Sequence, residues 1–277
     1  MNSSIKLPTF LKWAGGKRKI LPLIEKFFPK KIDRYFEPFL GGGSVFFYVK
    51  QKYNPPYSLI SDTNVDLINT YIHVRDNPGQ LIKYLSKFKK KNSKFFYYLV
   101  RENFNKKKYK GIRRSAAFIY LNKNCFNGLY RVNSKNEFNV PYGKYKNPST
   151  FDEKIIYEAS VMLKNGVEIK CQDYQAIISK VKGDDFIYLD PCYDPLKKTS
   201  FANYTPERFS TSDRLKLYSF IENLRKKGAK VVLSNNDIPE IHELYSDYNI
   251  NEILAPRFIG SKVAYRNRVS ELVITNY

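Results

Sequence analysis

The residues with the clearest chemical potential are Asp190-Pro191-Cys192-Tyr193, in the last third of the chain. They follow Phe186 to Leu189, a short apolar run that predicts a buried strand. In open α/β sheets, ligands bind beyond the carboxyl ends of the strands. At that place the Asp190 carboxylate and the Pro191 carbonyl can accept hydrogen bonds, and the Tyr193 ring can stack on a flat partner. These residue types therefore predict a site for an amino group on a planar heterocycle.

A glycine triplet upstream predicts a second part of the same site. Gly41, Gly42 and Gly43 follow a strand-like segment and open an apolar helix, so the backbone can turn tightly and approach a ligand. Asp62 ends the next predicted strand, about 20 residues further on, where a carboxylate can bind ribose hydroxyls. The spacing is not G-x-G-x-x-G, and the glycines taken alone favour a tight strand–helix turn without a ligand.

The only tryptophan of the chain, Trp13, lies between Lys12 and Lys17 and next to paired glycines. An aromatic ring in this place can pack against an apolar or cationic part of a ligand, and Lys17 can meet a carboxylate. The alternative is a core tryptophan beside a turn.

The charge balance predicts a polyanionic partner. Among 277 residues, 48 are basic and 26 acidic, which gives a net charge of +22. An AT-rich genome would also raise the lysine content, but it would not suppress acidic residues to this extent. The three cysteines have neither metal-binding nor disulfide spacing, and no segment has the length of a membrane span or a signal peptide. The sequence thus predicts a soluble, cytoplasmic protein.

The order of apolar patterns predicts an α/β domain that is interrupted by a helical insertion. Strand-like and glycine-rich segments fill residues 1–65 and return at 157–277, where two final strands, 250–254 and 271–275, are spaced for an antiparallel hairpin. Residues 66–156 show helical faces instead, with basic runs at 87–94 and 106–114. Three helical faces are predicted there: Val65, Ile68 and Ile72; Leu81, Ile82, Leu85 and Phe88 after Pro78; and Ala117, Phe118 and Leu121.

Three segments in this order resemble a known family. Residues 12–17, 36–44 and 190–193 are similar to the motifs of N6-adenine DNA methyltransferases of the Dam family, α group. The resemblance extends through 127–131, 137–145 and 234–235 and is closest to restriction–modification members that methylate GATC. It implies a Rossmann-like S-adenosylmethionine-dependent sheet with an inserted DNA-recognition domain and double-stranded DNA as substrate. It also implies a cognate restriction endonuclease that acts on the same site without a stable complex, and it requires no metal.

The resemblance also implies roles for individual residues. Cofactor binding falls to Trp13, Lys17, Phe39, Gly41, Gly42, Gly43, Asp62, Asp173, Tyr174 and Asp190. Catalysis falls to Asp190, Pro191 and Tyr193, which would receive an adenine flipped out of the duplex. Lys12 and Arg131 match readers of guanine; Asn127, Leu129 and Tyr145 match their neighbours; and Phe126 matches an aromatic wedge. Hairpin core is the alternative for Leu129 and Phe126.

One residue departs from the family pattern, because Cys192 stands where a second proline is usual. A small buried filler is the favoured interpretation of this cysteine. Pro191-Cys192 also matches the nucleophile dipeptide of C5-cytosine methyltransferases, but methylation of an amine needs no covalent adduct. Two other functions stay open at this point: methylation of N4-cytosine or of an RNA amine, and a DNA-binding module whose catalytic site has degenerated.

Overall fold

The computed structural model describes residues 6–143, 145, 150–191, 211–256 and 268–277. Within them, one sheet of seven strands has the order β3-β2-β1-β4-β5-β7-β6. Its strands are β1 Arg34–Glu37, β2 Tyr57–Asp62, β3 Val167–Cys171, β4 Phe186–Leu189, β5 Lys230–Asn236, β6 Asn249–Pro256 and β7 Arg268–Thr275. Strands β1 to β5 pair in parallel, whereas β7 runs antiparallel between β5 and β6.

This strand order creates a switch point between β1 and β4. From β1 the chain proceeds outward through β2 and β3, and it then returns to place β4 on the other side of β1. Ligands bind at such points because the connections at the carboxyl ends of the two strands diverge and leave a crevice. The Rossmann-like α/β sheet expected from the sequence is confirmed, and Asp190 directly follows β4 at this crevice.

Helices cover both faces of the sheet. In chain order they are α1 Leu21–Ile24, α2 Ser44–Lys52, α3 Val65–Asp76, α4 Pro78–Lys90, α5 Lys94–Asn105, α6 Gly111–Asn124, α7 Glu153–Lys164, α8 Thr211–Lys226 and α9 Pro239–Leu244. One hydrophobic core joins α1 to α7 with one sheet face, and a second joins α8 and α9 with the other. Alternate strand residues supply the two cores: Tyr35 faces the first and Phe36 the second.

The helical predictions are confirmed for α4 and α6, and for α3 they fail only at Val65. Leu81, Ile82, Leu85 and Phe88 are all buried on α4, which begins at Pro78 as expected. On α3, however, Val65 is 59% exposed, and Leu67, Ile68, Tyr71 and Val74 form the buried face. Asn64 caps the helix by accepting a hydrogen bond from Leu67 N–H at 3.0 Å. Val65 is thus the first residue of the helix and is exposed there, whereas Leu67 and Ile68 in the same turn are buried.

Most residues of the basic run 87–94 belong to helices, and only residues 91–93 connect α4 to α5. Lys87 to Lys90 form the last turn of α4, and Lys94 opens α5, a helix that the sequence analysis does not predict. Ser93 caps α5, and Tyr97, Val100 and Phe104 are buried with helical spacing that the surrounding lysines obscure. No helix in the described ranges combines the length and the apolarity that crossing a bilayer requires.

Candidate active site at the carboxyl edge of the sheet

The glycine turn after β1 lies against the carboxylate that ends β2. Gly41 N–H donates to Asp62 Oδ2 at 3.1 Å, and Asn64 N–H donates to Asp62 Oδ1 at 3.0 Å. Gly41 has a φ of +47° and Gly43 a φ of +66°, conformations that glycine adopts without strain. Burial raises the pKa of Asp62 although these backbone donors oppose the shift. The predicted pairing of a glycine turn with an acidic residue is therefore present in the fold.

Trp13 packs on this turn instead of lying in the core. A Cβ added to Gly41 would lie 2.8 Å from the Trp13 indole, and one added to Gly42 would lie 2.8 Å from Trp13 Cβ. On its other side the half-buried indole stacks on Tyr130, with ring centroids 5.5 Å apart and planes 16° apart. Trp13 thus leaves no space for side chains at Gly41 and Gly42. Its indole also connects the glycine turn to the segment around Tyr130.

A second aromatic pair lies next to the turn. Phe39 stacks on Tyr174 with centroids 5.2 Å apart and an angle of 27° between the planes. Both rings are half-buried, and the exposed Asp173 caps the short helix Tyr174–Ser179 by accepting Gln175 N–H at 2.9 Å. Phe39 and Tyr174, two residues predicted to bind the cofactor, therefore come together after β1 and after β3.

The acidic residue that follows β4 is held by a buried lysine. Lys17 is 4% exposed, and its Nζ lies 3.1 Å from Asp190 Oδ1 and 2.5 Å from Glu271 Oε1. Burial by itself lowers the pKa of Lys17, but the charges of Asp190 and Glu271 outweigh it, and the net shift is upward. Lys17 thus meets carboxylates, as predicted, but they belong to the protein itself. Sequence reasoning missed Glu271, because nothing near it in the chain resembles a motif.

Glu37 is a further buried carboxyl group that sequence reasoning did not single out. It ends β1, is 2% exposed, and accepts a hydrogen bond from the Tyr35 hydroxyl at 2.6 Å. Burial raises the pKa of Glu37 well above its usual range, and the nearby charge of Asp190 adds to the shift. Burial at this place therefore favours the neutral form of the Glu37 carboxyl group. Its position within the segment 36–44, which resembles a family motif, was the one feature of the sequence that could have identified Glu37 as a site residue.

Pro191 is buried and is the residue after Asp190, so the two proposed acceptors are adjacent in the chain. Cys192 and Tyr193 lie outside the described residues, so the stacking expected of Tyr193 stays a prediction. Three features predicted to bind ligands are nonetheless assembled at one edge of the sheet: the turn at Gly41, the ring pair at Phe39, and Asp190.

A short hairpin follows α6 and lies beside this edge. Isolated bridges join Cys125 to Tyr142 and Val132 to Phe138. Phe126 is 50% exposed, which excludes the hairpin-core interpretation for this ring, whereas Leu129 is half-buried and packs against the main core. Asn127 is exposed and has a φ of +54°, so the turn presents it outward.

The hairpin is joined to the segment that carries Trp13. The amide of Asn122 accepts from Lys12 N–H at 2.8 Å and donates to Lys12 O at 2.7 Å. Lys12 Nζ lies 4.2 Å from the centroid of the Tyr145 ring, whose hydroxyl donates to Cys125 O at 3.0 Å. Arg131 Nε donates to Asn139 Oδ1 at 2.7 Å. All six residues predicted to contact DNA therefore belong to this hairpin or adjoin it.

The basic runs lie mostly in solvent. Lys87, Lys89, Lys90, Lys91 and Lys94 are exposed, as are Lys107, Lys108, Lys110 and Arg113. Arg114 is an exception, because its guanidinium binds both carboxylate oxygens of Asp66, at 2.5 and 2.7 Å, and so joins α6 to α3. Most of these charges are thus placed to meet an external polyanion.

Comparison with known proteins agrees with this site. Residues 13–257 match the family model of D12 class N6 adenine-specific DNA methyltransferases. The chain is 44% identical to the type II methyltransferase M.MjaIII of Methanocaldococcus jannaschii, over 99% of this chain and 100% of that protein. It is 42% identical to the type II methyltransferase M1.LlaDCHI of Lactococcus lactis subsp. cremoris, over 99% and 97%.

A DNA adenine methylase also matches along most of its length. The enzyme of Escherichia coli K12 is 33% identical, over 95% of this chain and 93% of that protein. The resemblance to the Dam family inferred from the motifs is thereby confirmed, and with it S-adenosylmethionine as methyl donor and DNA as substrate. This chain belongs to the D12 class N6 adenine-specific DNA methyltransferases.

Proposed function

We propose that the protein methylates N6 of adenine at GATC in double-stranded DNA, as the modification enzyme of a restriction–modification system. The single observation that carries the adenine chemistry is the Asp190 carboxylate, which lies at the switch point and is oriented by the buried Lys17 at 3.1 Å. The GATC sequence rests on the similarity of segments 12–17, 127–131 and 137–145 to GATC-methylating members of the family. The type II names of two relatives support the restriction–modification context.

The residues at the sheet edge fit S-adenosylmethionine. The glycine turn lies against Asp62, which offers carboxylate oxygens for ribose hydroxyls, and Phe39 with Tyr174 offers apolar faces for the adenine. Trp13 closes the turn from the opposite side. The cofactor supplies an electrophilic methyl group bound to a positively charged sulfur.

The Asp190 carboxylate and the Pro191 carbonyl make the target amine nucleophilic. The lone pair of this amine is conjugated with the purine ring, so the amine attacks only when acceptors draw its hydrogens and localise the lone pair on nitrogen. Lys17, whose Nζ lies 3.1 Å from Asp190 Oδ1, holds this carboxylate in place. Tyr193 would stack on the flipped base, a contact worth about 1–3 kcal/mol. No residue forms a covalent bond to the base in this scheme.

The region 66–156 is the proposed recognition domain. Lys12 and Arg131 would read guanines through their O6 and N7 atoms, with Asn127, Leu129 and Tyr145 as neighbours. The exposed ring of Phe126 is suited to enter the base stack when the adenine leaves it. The lysines of α4 and of the α5–α6 connection would contact phosphates without reading sequence.

Replacing Gly41 with alanine should weaken cofactor binding at least about tenfold. The new Cβ would lie 2.8 Å from the Trp13 indole and would also strain a φ of +47°. Titration of Trp13 fluorescence with S-adenosylmethionine measures the effect. Gly111→Ala is the matched control, because Gly111 has a φ of +49° with nothing within 4 Å of the added Cβ. Equal losses in both variants would assign the effect to backbone strain alone.

DNA affinity should depend steeply on salt. A contact surface of roughly 6–10 phosphates implies a loss of about 10³–10⁵ in affinity between 50 and 200 mM salt. Fluorescence anisotropy of a labelled GATC duplex at several salt concentrations gives the slope. A slope that corresponds to about one or two phosphates would contradict a DNA-binding role for the exposed basic runs.

Protection of plasmid DNA tests the proposed sequence. Plasmid recovered from cells that express the protein should resist an endonuclease that methylation blocks at GATC, and it should remain sensitive to one that ignores methylation there. Cleavage by both enzymes, together with N6-methyladenine in the same DNA, would move the target to another sequence and leave the adenine chemistry intact.

A further inference from the structure

Glu271 lies on β7, two strands away from the strand that precedes Asp190. Residues of β7 alternate between the two cores: Leu272 packs into the core with α8, and Val273 into the core with α2 and α3. Glu271 therefore shares the sheet face of Val273, the face on which Lys17 lies. Its side chain is 14% exposed, and its Oε1 is 2.5 Å from Lys17 Nζ.

One ammonium thus serves two carboxylates in a mostly buried place. Lys17 lies closer to Glu271 than to Asp190, at 2.5 against 3.1 Å. Removing one partner of a buried ion pair leaves an uncompensated charge, which is strongly destabilising. The position of the Lys17 ammonium, and with it the orientation of Asp190, therefore depends on Glu271. A carboxylate has about four acceptor positions, and an ammonium contact at one oxygen orients the group.

We propose that Glu271 is a positioning residue for methyl transfer. By binding the Lys17 ammonium, Glu271 keeps it from pairing more tightly with Asp190, so Asp190 stays oriented and can accept hydrogen bonds from the target amine. This inference rests on the proposed role of Asp190. Without the Glu271 charge, the ammonium would be drawn toward Asp190. The tighter pair would then compete with the amine for the Asp190 oxygens, which slows the chemical step without removing any contact to cofactor or DNA.

Glu271→Gln tests this proposal, because it removes the charge and preserves the shape. We expect the single-turnover rate of methyl transfer to fall about tenfold or more. The dissociation constants for S-adenosylmethionine, from Trp13 fluorescence, and for a GATC duplex, from anisotropy, should change less than about threefold. A residue that only stabilised the fold would not separate rate from binding in this way.

Two further variants complete the design. Glu271→Asp keeps the charge and should recover most of the lost rate. Glu252→Gln removes an exposed carboxylate from the neighbouring strand β6 and should leave rate and binding unchanged. Four results would overturn the proposal: an unchanged rate in Glu271→Gln, an equal loss in Glu252→Gln, no recovery in Glu271→Asp, or loss of folding in Glu271→Gln. Failure of the unaltered protein to transfer methyl groups would instead refute the proposed function.

Discussion

Asp190→Ala should reduce methyl transfer by roughly 10³-fold, the size of the loss when an enzyme is deprived of a main polar group at its reacting centre. The carboxylate is the charged acceptor proposed to localise the amine lone pair, and an alanine leaves only the Pro191 carbonyl. Lys17 retains Glu271 as a partner at 2.5 Å, so the fold should survive the change. Rates with saturating cofactor and a GATC duplex, and anisotropy for DNA binding, measure the two properties separately.

The comparison needs a control with the same loss of charge. Asp247→Ala removes an exposed carboxylate between α9 and β6 and should leave transfer unchanged. DNA affinity of Asp190→Ala should stay within about threefold of the unaltered protein, because the proposed phosphate contacts lie on the basic runs. If Asp190→Ala lost DNA binding and folding together, Asp190 would be a structural residue; if it retained transfer, the proposed activation of the amine would be wrong.

Arg131→Ala should relax sequence choice more than it lowers overall affinity. A guanidinium has five N–H donors, and the hydrogen bond from Arg131 Nε to Asn139 fixes its plane at the edge of the hairpin. Loss of a bidentate contact to guanine costs about 1–3 kcal/mol of discrimination at one base pair. The ratio of the transfer rate on GATC to the rate on a duplex altered at one position should therefore fall by about 10- to 100-fold.

A lysine from the basic run provides the contrast. Lys107→Ala should weaken binding to all duplexes alike and lower the salt slope by about 1, as expected for a phosphate contact. The same uniform loss in Arg131→Ala, with unchanged preference for GATC, would reassign Arg131 from base reading to phosphate binding.

The sequence was sufficient to predict the strands, because each is marked by local chemistry. Phe186 to Leu189 is a short apolar run that ends at Asp190, and it forms β4 with the bounds expected. The glycine turn and Asp62 were also predictable, since a parallel sheet brings the carboxyl ends of neighbouring strands together. The antiparallel hairpin of β6 and β7 followed from the spacing of two apolar segments.

Contacts between distant segments were not predictable from local patterns. Lys17 and Glu271 are 254 residues apart, and only the insertion of β7 beside β5 brings the glutamate to the lysine. The stacking of Trp13 on Tyr130 likewise depends on how the hairpin returns to the first loop. The prediction for α3 was wrong at Val65 for a local reason: this residue opens the helix and is exposed there, although Leu67 and Ile68 in the same turn are buried.

Nucleoside analysis of the methylated product tests the central claim most directly. DNA with GATC sites is incubated with the protein and isotope-labelled S-adenosylmethionine, digested to nucleosides, and examined by mass spectrometry, with RNA as a parallel substrate. We predict label in N6-methyladenine from duplex DNA, and roughly 10³-fold slower labelling when Asp190→Ala replaces the unaltered protein. Label in N4-methylcytosine, label in RNA alone, or tight DNA binding with no transfer would contradict the proposed chemistry at Asp190.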